Sequence, residues 1–159
     1  MKRMLYNVFV YGTLKRGEPN HHWFRPENGF SRFIAAGSTT QKFPLIVGTR
    51  YNIPFLLDRP GIGHNIKGEI YEIDEAMLGK LDELEGYPQY YDREIQNITV
   101  ENESMQCWLY LLRKFPEKIL EKTLLEAYHN TPEQPYCESY VDSTIDDIFD
   151  SDDLKQQSN

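Results

Sequence analysis

The chain has 159 residues, 40% of them apolar and 26% charged, and a formal net charge of −8. That length and make-up describe one globular domain with a sizeable core, and the negative balance excludes nucleic acid or an anionic membrane held by general electrostatics. The charge is uneven: Glu138–Asn159 holds seven acids and one base, whereas Met1–Cys137 holds 18 acids against 16 bases.

Leu5 to Tyr11 is a strongly apolar run and reads as the first strand, with Tyr11-Gly12-Thr13-Leu14-Lys15-Arg16-Gly17 as the turn that follows it. Asn20-His21-His22-Trp23-Phe24 starts a short helix that Pro26 and Gly29 end. Adjacent histidines point to different sides of a helix or strand, so His21 and His22 are poorly placed as joint metal ligands. Phe33 to Gln41 reads as a second strand broken by Gly37, and Phe43 to Val47 as a short apolar piece. Pro54 makes Tyr51 to Asp58 an edge or loop segment. Arg59 to Gly63 is a turn. Asn65 to Ile73 alternates as a strand does, with Gly68 placed for close approach of other backbone.

The best-signalled helix runs from Glu75 to Leu84 or Glu85. Asp74 is its N-cap, and Gly86 with Pro88 beyond supplies the stop. Gly79 is a blemish costing about 1 kcal/mol against Ala. Tyr90 to Val100 and Met105 to Leu112 form an antiparallel hairpin about Asn102-Glu103. Pro116 to Tyr128 has helix composition. Residues 1–150 thus read as a single domain, followed by an acidic, disordered tail over 151–159. Without an apolar leader or a run approaching 18 apolar residues, a cytoplasmic protein with reduced thiols is expected. Cys107 and Cys137 fit no metal spacing, and a disulfide between them is the less favoured alternative.

Two features carry chemistry. The glycine-bracketed loop at Tyr11–Gly17 leaves a strand at a corner where successive backbone N–H groups can converge on an anion or a developing oxyanion. Gly12 there allows close approach to a ligand, or a conformation closed to other residues. On a helical wheel from Glu75, Met77, Leu78, Leu81 and Leu84 define the apolar face. Glu83 lies on the solvent side, Asp82 on the flank, and Glu85 within the apolar face. An inward carboxylate loses water, its pKa rises, and it becomes competent as general base and then general acid near neutral pH. Tyr87, Tyr90 and Tyr91 follow closely and can wall a pocket.

Four ordered blocks then make a specific pattern: Tyr11–Gly17, Asn52-Ile53-Pro54 with Leu56-Leu57, Gly68-Glu69-Ile70-Tyr71, and Leu81-Asp82-Glu83-Leu84-Glu85. The chain resembles the γ-glutamylcyclotransferase-like superfamily over about residues 5–113, most closely its γ-glutamylamine cyclotransferase branch. The resemblance implies an α+β fold, a small mixed β-barrel with flanking helices. It implies Tyr11, Gly12, Thr13 and Leu14 as the substrate-binding loop, Glu85 as the catalytic acid/base and Tyr91 as a pocket residue. The implied substrate is a small-molecule γ-glutamyl amide, converted to 5-oxoproline and free amine with no metal or organic cofactor. Two alternatives stand beside this one: a cyclotransferase for glutathione or γ-glutamyl amino acids, and a non-catalytic binding protein on the same fold. Gly86-Tyr87-Pro88 and the residues after Phe115 depart from the branch.

Overall fold

The computed structural model describes residues 4–48 and 51–137. The tail expected over 151–159, and the end of the domain from 138 to 150, lie outside the described residues. In chain order the strands are β1 (Leu5–Val10), β2 (Ser31–Phe43), β3 (Leu45–Gly48), β4 (Ile53–Leu56), β5 (His64–Asp74), β6 (Asp92–Val100) and β7 (Glu103–Leu111); helix α1 (Glu75–Glu85) joins β5 to β6. Five strands close a barrel in the order β1-β5-β2-β6-β7, and β3 and β4 form a separate two-stranded sheet. β1 is antiparallel to β5 and meets β7 in parallel at Val8 and Trp108, so the barrel is mixed. The flanking helices reduce to α1 and short 3-10 turns at His21–Trp23, Pro26–Asn28 and Glu117–Glu121.

The two-residue period of the strands divides the core. Phe9 of β1, Ile66 and Ile70 of β5, Ile98 of β6, and Cys107 and Leu109 of β7 pack together inside the barrel. Their neighbours Val8, Val10, Tyr71, Ile73 and Tyr110 face the other way, against Met77, Leu78 and Leu81 of α1. The second half of β1, Val8–Val10, is therefore covered on both sides, which is why the sequence there is a continuous apolar run. The Asp74 carboxylate caps α1 by accepting from the Met77 N–H at 3.0 Å. Gly86 takes the left-handed conformation at φ 66°, and the N–H groups of Gly86 and Tyr87 donate to the carbonyls of Glu83 and Asp82. That closure makes Glu85 the last helical residue.

Three sequence expectations are corrected. β2 is one strand of 13 residues, not a strand broken at Gly37. Gly37 instead admits β6, since a Cβ there would stand 2.8 Å from the Thr99 carbonyl oxygen. The segment 116–128 is not a helix. After the turn at Glu117–Glu121 it runs along the sheet edges, the Leu125 N–H donating to the Leu45 carbonyl and the Lys67 N–H to the Glu126 carbonyl. Pairing with open strand edges outweighs a helix propensity of a few tenths of a kcal/mol per residue. The hairpin turn lies at Glu101-Asn102, one residue earlier than expected. Pro54 does sit in a strand, but one paired only to β3. Cys107 and Cys137 are both free. No helix among the described residues is long and apolar enough to cross a membrane.

Two glycines are expected to respond oppositely to alanine. A Cβ on Gly68 would lie 2.4 Å from the Val10 carbonyl oxygen and 2.6 Å from Phe9 Cζ, so G68A should lose about 1–3 kcal/mol. Gly79 has open space around it on the solvent side of α1, so G79A should gain about 0.5–1 kcal/mol. Denaturant titration of both variants checks the signs.

Candidate active site

Where β1 ends, the chain turns out of the barrel and a cavity of about 160 Å3 opens between β1, β4 and the C-terminus of α1. Tyr11, Gly12, Thr13, Leu14, Glu85 and Tyr91, the candidates from the sequence, all line it. Pro54, which the sequence placed in one of the four blocks but assigned no role at the site, joins them, and so do Tyr110, Asn20, Trp23 and Tyr136, which it did not single out.

The Tyr11–Leu14 loop is held by its carbonyls. The Gly12 carbonyl accepts from the Lys15 N–H at 3.2 Å, and the Thr13 carbonyl accepts from the Asn20 N–H at 2.8 Å. The Leu14 carbonyl lies 3.0 Å from His21 Nδ1, and Asn20 Nδ2 donates to Thr13 Oγ1 at 2.9 Å. Among the described residues, no protein acceptor takes the N–H groups of Gly12, Thr13 or Leu14. Three occupied carbonyls beside three spare donors are the make-up of an anion-binding backbone nest. Gly12 is needed for close approach, since a Cβ there would meet Pro54 Cγ at 3.0 Å. The left-handed turn falls at Gly17, with φ 82°.

Lys15 was legible only as part of a basic turn, yet it is 7% exposed and its Nζ donates to the Tyr128 carbonyl at 2.5 Å. Burial lowers its pKa, against the opposing charges of Glu18 and Glu69. It anchors the loop to the far end of the chain rather than offering a cation to the cavity, which it does not line.

Glu85 closes α1 on the cavity side. Packed protein atoms strip water from its carboxyl, and the charge of Asp82 adds to that effect; together they raise its pKa to about 7. The residue keeps some accessibility, because it faces the cavity. Asp82, on the flank of the helix, lies 2.9 Å from Arg93 Nε and accepts from the Tyr110 hydroxyl at 2.6 Å. The Arg93 guanidinium lies between the rings of Tyr87 and Trp108, 4.5 and 4.4 Å from their centroids. Arg93 balances Asp82, and no comparable cation lies on Glu85 among the cavity-lining residues. The Tyr11 hydroxyl donates to the Tyr110 carbonyl at 2.6 Å, and burial followed by the Glu85 charge pushes its phenol well above the usual range. Tyr91 stacks on Phe55, and its hydroxyl lies 3.4 Å from the Pro54 carbonyl. The paired histidines are engaged with backbone, His21 at Leu14 and His22 at Pro19. Among the described residues no cluster of three ligating side chains is placed to hold a metal.

A carboxyl titrating near neutrality beside spare backbone donors suits proton transfer coupled to the formation of an oxyanion. Comparison with known proteins gives that geometry a family. The model of the family described as γ-glutamyl cyclotransferase, AIG2-like matches residues 8–130. A Drosophila melanogaster relative named "Putative gamma-glutamylcyclotransferase CG2811" is 67% identical over 141 residues, 87% of this chain and 90% of its own. The γ-glutamylaminecyclotransferase of Rattus norvegicus is 43% identical over 113 residues, 65% of this chain and 76% of its own. The crystal structure of an AIG2-like protein from Mus musculus superimposes with a TM-score of 0.79 at 37% identity, covering 84% of this chain and 95% of that one. The chain belongs to the γ-glutamyl cyclotransferase, AIG2-like family.

Proposed function

We propose that this protein is a γ-glutamylamine cyclotransferase, which converts ε-(γ-glutamyl)-lysine and related γ-glutamyl amides to 5-oxoproline and a free amine. The observation that carries the reading is one cavity shared by a carboxyl titrating near 7 and a loop with three N–H groups that no acceptor among the described residues takes. Ionised Glu85 takes a proton from the substrate's α-ammonium. The freed amine attacks its own γ-carbonyl and closes a five-membered ring, while the carbonyl oxygen becomes an oxyanion. Glu85 passes that first proton to the departing nitrogen and, ionised again, takes the second proton from the α-nitrogen as the tetrahedral centre collapses; the second proton ends on the released amine, which leaves as an ammonium. Both reacting atoms belong to one molecule, so the protein's task is to hold the glutamyl chain in the attacking shape. The Gly12–Leu14 amides hold the α-carboxylate or the oxyanion. Tyr11 and Tyr91 wall the chain. The chemistry is proton transfer and acyl transfer, and it calls for no metal or organic cofactor.

Size and charge favour an alkyl amine as leaving group. A cavity of about 150 Å3 accommodates one benzene ring, so 160 Å3 suits the glutamyl chain and leaves the amine arm to extend towards solvent. No lysine or arginine lines the cavity among the described residues. The dipeptide that leaves glutathione carries a peptide carbonyl on the carbon next to the scissile nitrogen and its carboxylate one residue further on, whereas a leaving amino acid, as in γ-glutamyl-alanine, carries a carboxylate on that carbon. That charge would lie near Glu85 without a cation to balance it. An alkyl amine puts a methylene there, which suits Pro54, Leu84 and Trp23.

Purified protein should release 5-oxoproline and lysine from ε-(γ-glutamyl)-lysine faster than it cleaves glutathione or γ-glutamyl-alanine in parallel assays; the opposite order would reverse the substrate assignment. Glu85→Gln should cost about 10²–10⁴-fold in turnover with the fold intact. Undiminished turnover would remove Glu85 from its role. Because the base must be ionised, kcat/KM should rise with pH through about 7. The same group affects stability. The folded chain keeps a proton on Glu85 at pH values where the unfolded chain, near pKa 4.5, has lost it, so stability falls as pH rises from 4.5 to about 7. Glu85→Gln should therefore raise the melting temperature at pH 8 and lose that advantage at pH 4.5, as thermal scans would show.

A further inference from the structure

The family match ends at residue 130, yet the wall of the cavity does not. Tyr136 lines the same cavity as Glu85 and the Tyr11–Leu14 loop. It sits on a strap, residues 128–137, that is tied down along its length. Lys15 Nζ donates to the Tyr128 carbonyl, and the Asn130 N–H donates to the Glu18 carboxylate at 2.9 Å. Asn52 Nδ2 donates to the Pro135 carbonyl at 2.8 Å, and the Cys137 N–H donates to the Tyr51 carbonyl at 2.9 Å. The last two ties flank Tyr136 and fix where its ring stands. Its hydroxyl accepts from Asn20 Nδ2 at 3.1 Å, and the same amide donates to Thr13 Oγ1. The strap is thereby joined to the loop proposed to bind substrate.

The cavity has a floor and a mouth. Phe9 and Tyr110 are 1% and 2% exposed and form the floor, whereas His22 is exposed and marks the mouth. Trp23 adjoins His22, their rings 4.8 Å apart, and Trp23 and Tyr136 are both half-buried. Resting on the cyclotransferase reading above, we propose that Tyr136 is a specificity-determining residue. Its ring, with Trp23, grips the methylene arm of the departing amine as that arm leaves the cavity. A ring packs against methylenes whatever the arm carries at its far end, so the grip selects arm length and apolarity rather than one particular amine.

The test compares kcat/KM for ε-(γ-glutamyl)-lysine with that for γ-glutamyl-methylamide, whose arm is too short to reach the mouth. In Tyr136→Ala the ratio of long arm to short arm should fall at least about tenfold, through KM of the long substrate. Tyr136→Phe keeps the ring and should keep the ratio within about threefold. Tyr136→Leu serves if the alanine variant does not fold, and its ratio should fall at least about threefold. An unchanged ratio, or equal loss on both substrates, overturns the proposal and leaves Tyr136 a structural residue, with the cyclotransferase reading untouched. A wild-type protein that turns over neither substrate overturns the cyclotransferase reading and this inference with it.

Discussion

Everything at the site depends on how a carboxyl is kept away from water at the end of α1. Gly86 reverses the chain directly after Glu85, and a Cβ at that glycine would stand 2.4 Å from the Tyr90 ring. The left-handed turn at Gly86 ends the helix, and its last side chain lines the cavity. Three residues earlier, Asp82 carries the same charge but meets Arg93 and the Tyr110 hydroxyl. One acid of the pair is compensated and the other is left to dehydration and to its neighbour's field. In the proposed reaction, that asymmetry is what separates a structural carboxylate from a proton carrier on a single helix.

The other half of the site is backbone, and it is positioned by packing rather than by side-chain chemistry. Val8–Val10 of β1 are buried on both faces, so this end cannot slide without moving residues to the wrong side of the barrel. Gly68 lets the Val10 carbonyl pass, and Gly12 lets Pro54 close the wall. Asn20 and His21, on the segment that follows the loop, hold its carbonyls and leave its N–H groups spare. Bonds within the protein hold this loop, which is the kind of preorganised donor set the proposed reaction needs to stabilise an oxyanion without reorganisation.

The strap joins these halves to the end of the described chain. Lys15, in the middle of the loop, is buried to hold it, and Glu18 accepts its backbone three residues further on. Lys15 and Glu18 thus anchor the start of the strap, which runs on past residue 130, where the family match ends.

The sequence by itself determined what depends on local periodicity and on ordered motifs. The apolar run of β1, the cap at Asp74, the stop at Gly86 and the inward placing of Glu85 are all set by residues within a few positions of one another. The four blocks added the family and its small mixed barrel. What only the tertiary structure decided are pairings between distant residues: Asp82 with Arg93 and Tyr110, Lys15 with Tyr128, Tyr136 with Asn20, and the strand edges that draw 122–128 out of the helix its composition favours. Each is a contact whose partner lies eleven to more than a hundred residues away. No period of 2 or 3.6 residues reports such a partner, because the barrel's closure, not the chain's local preference, brings the two together.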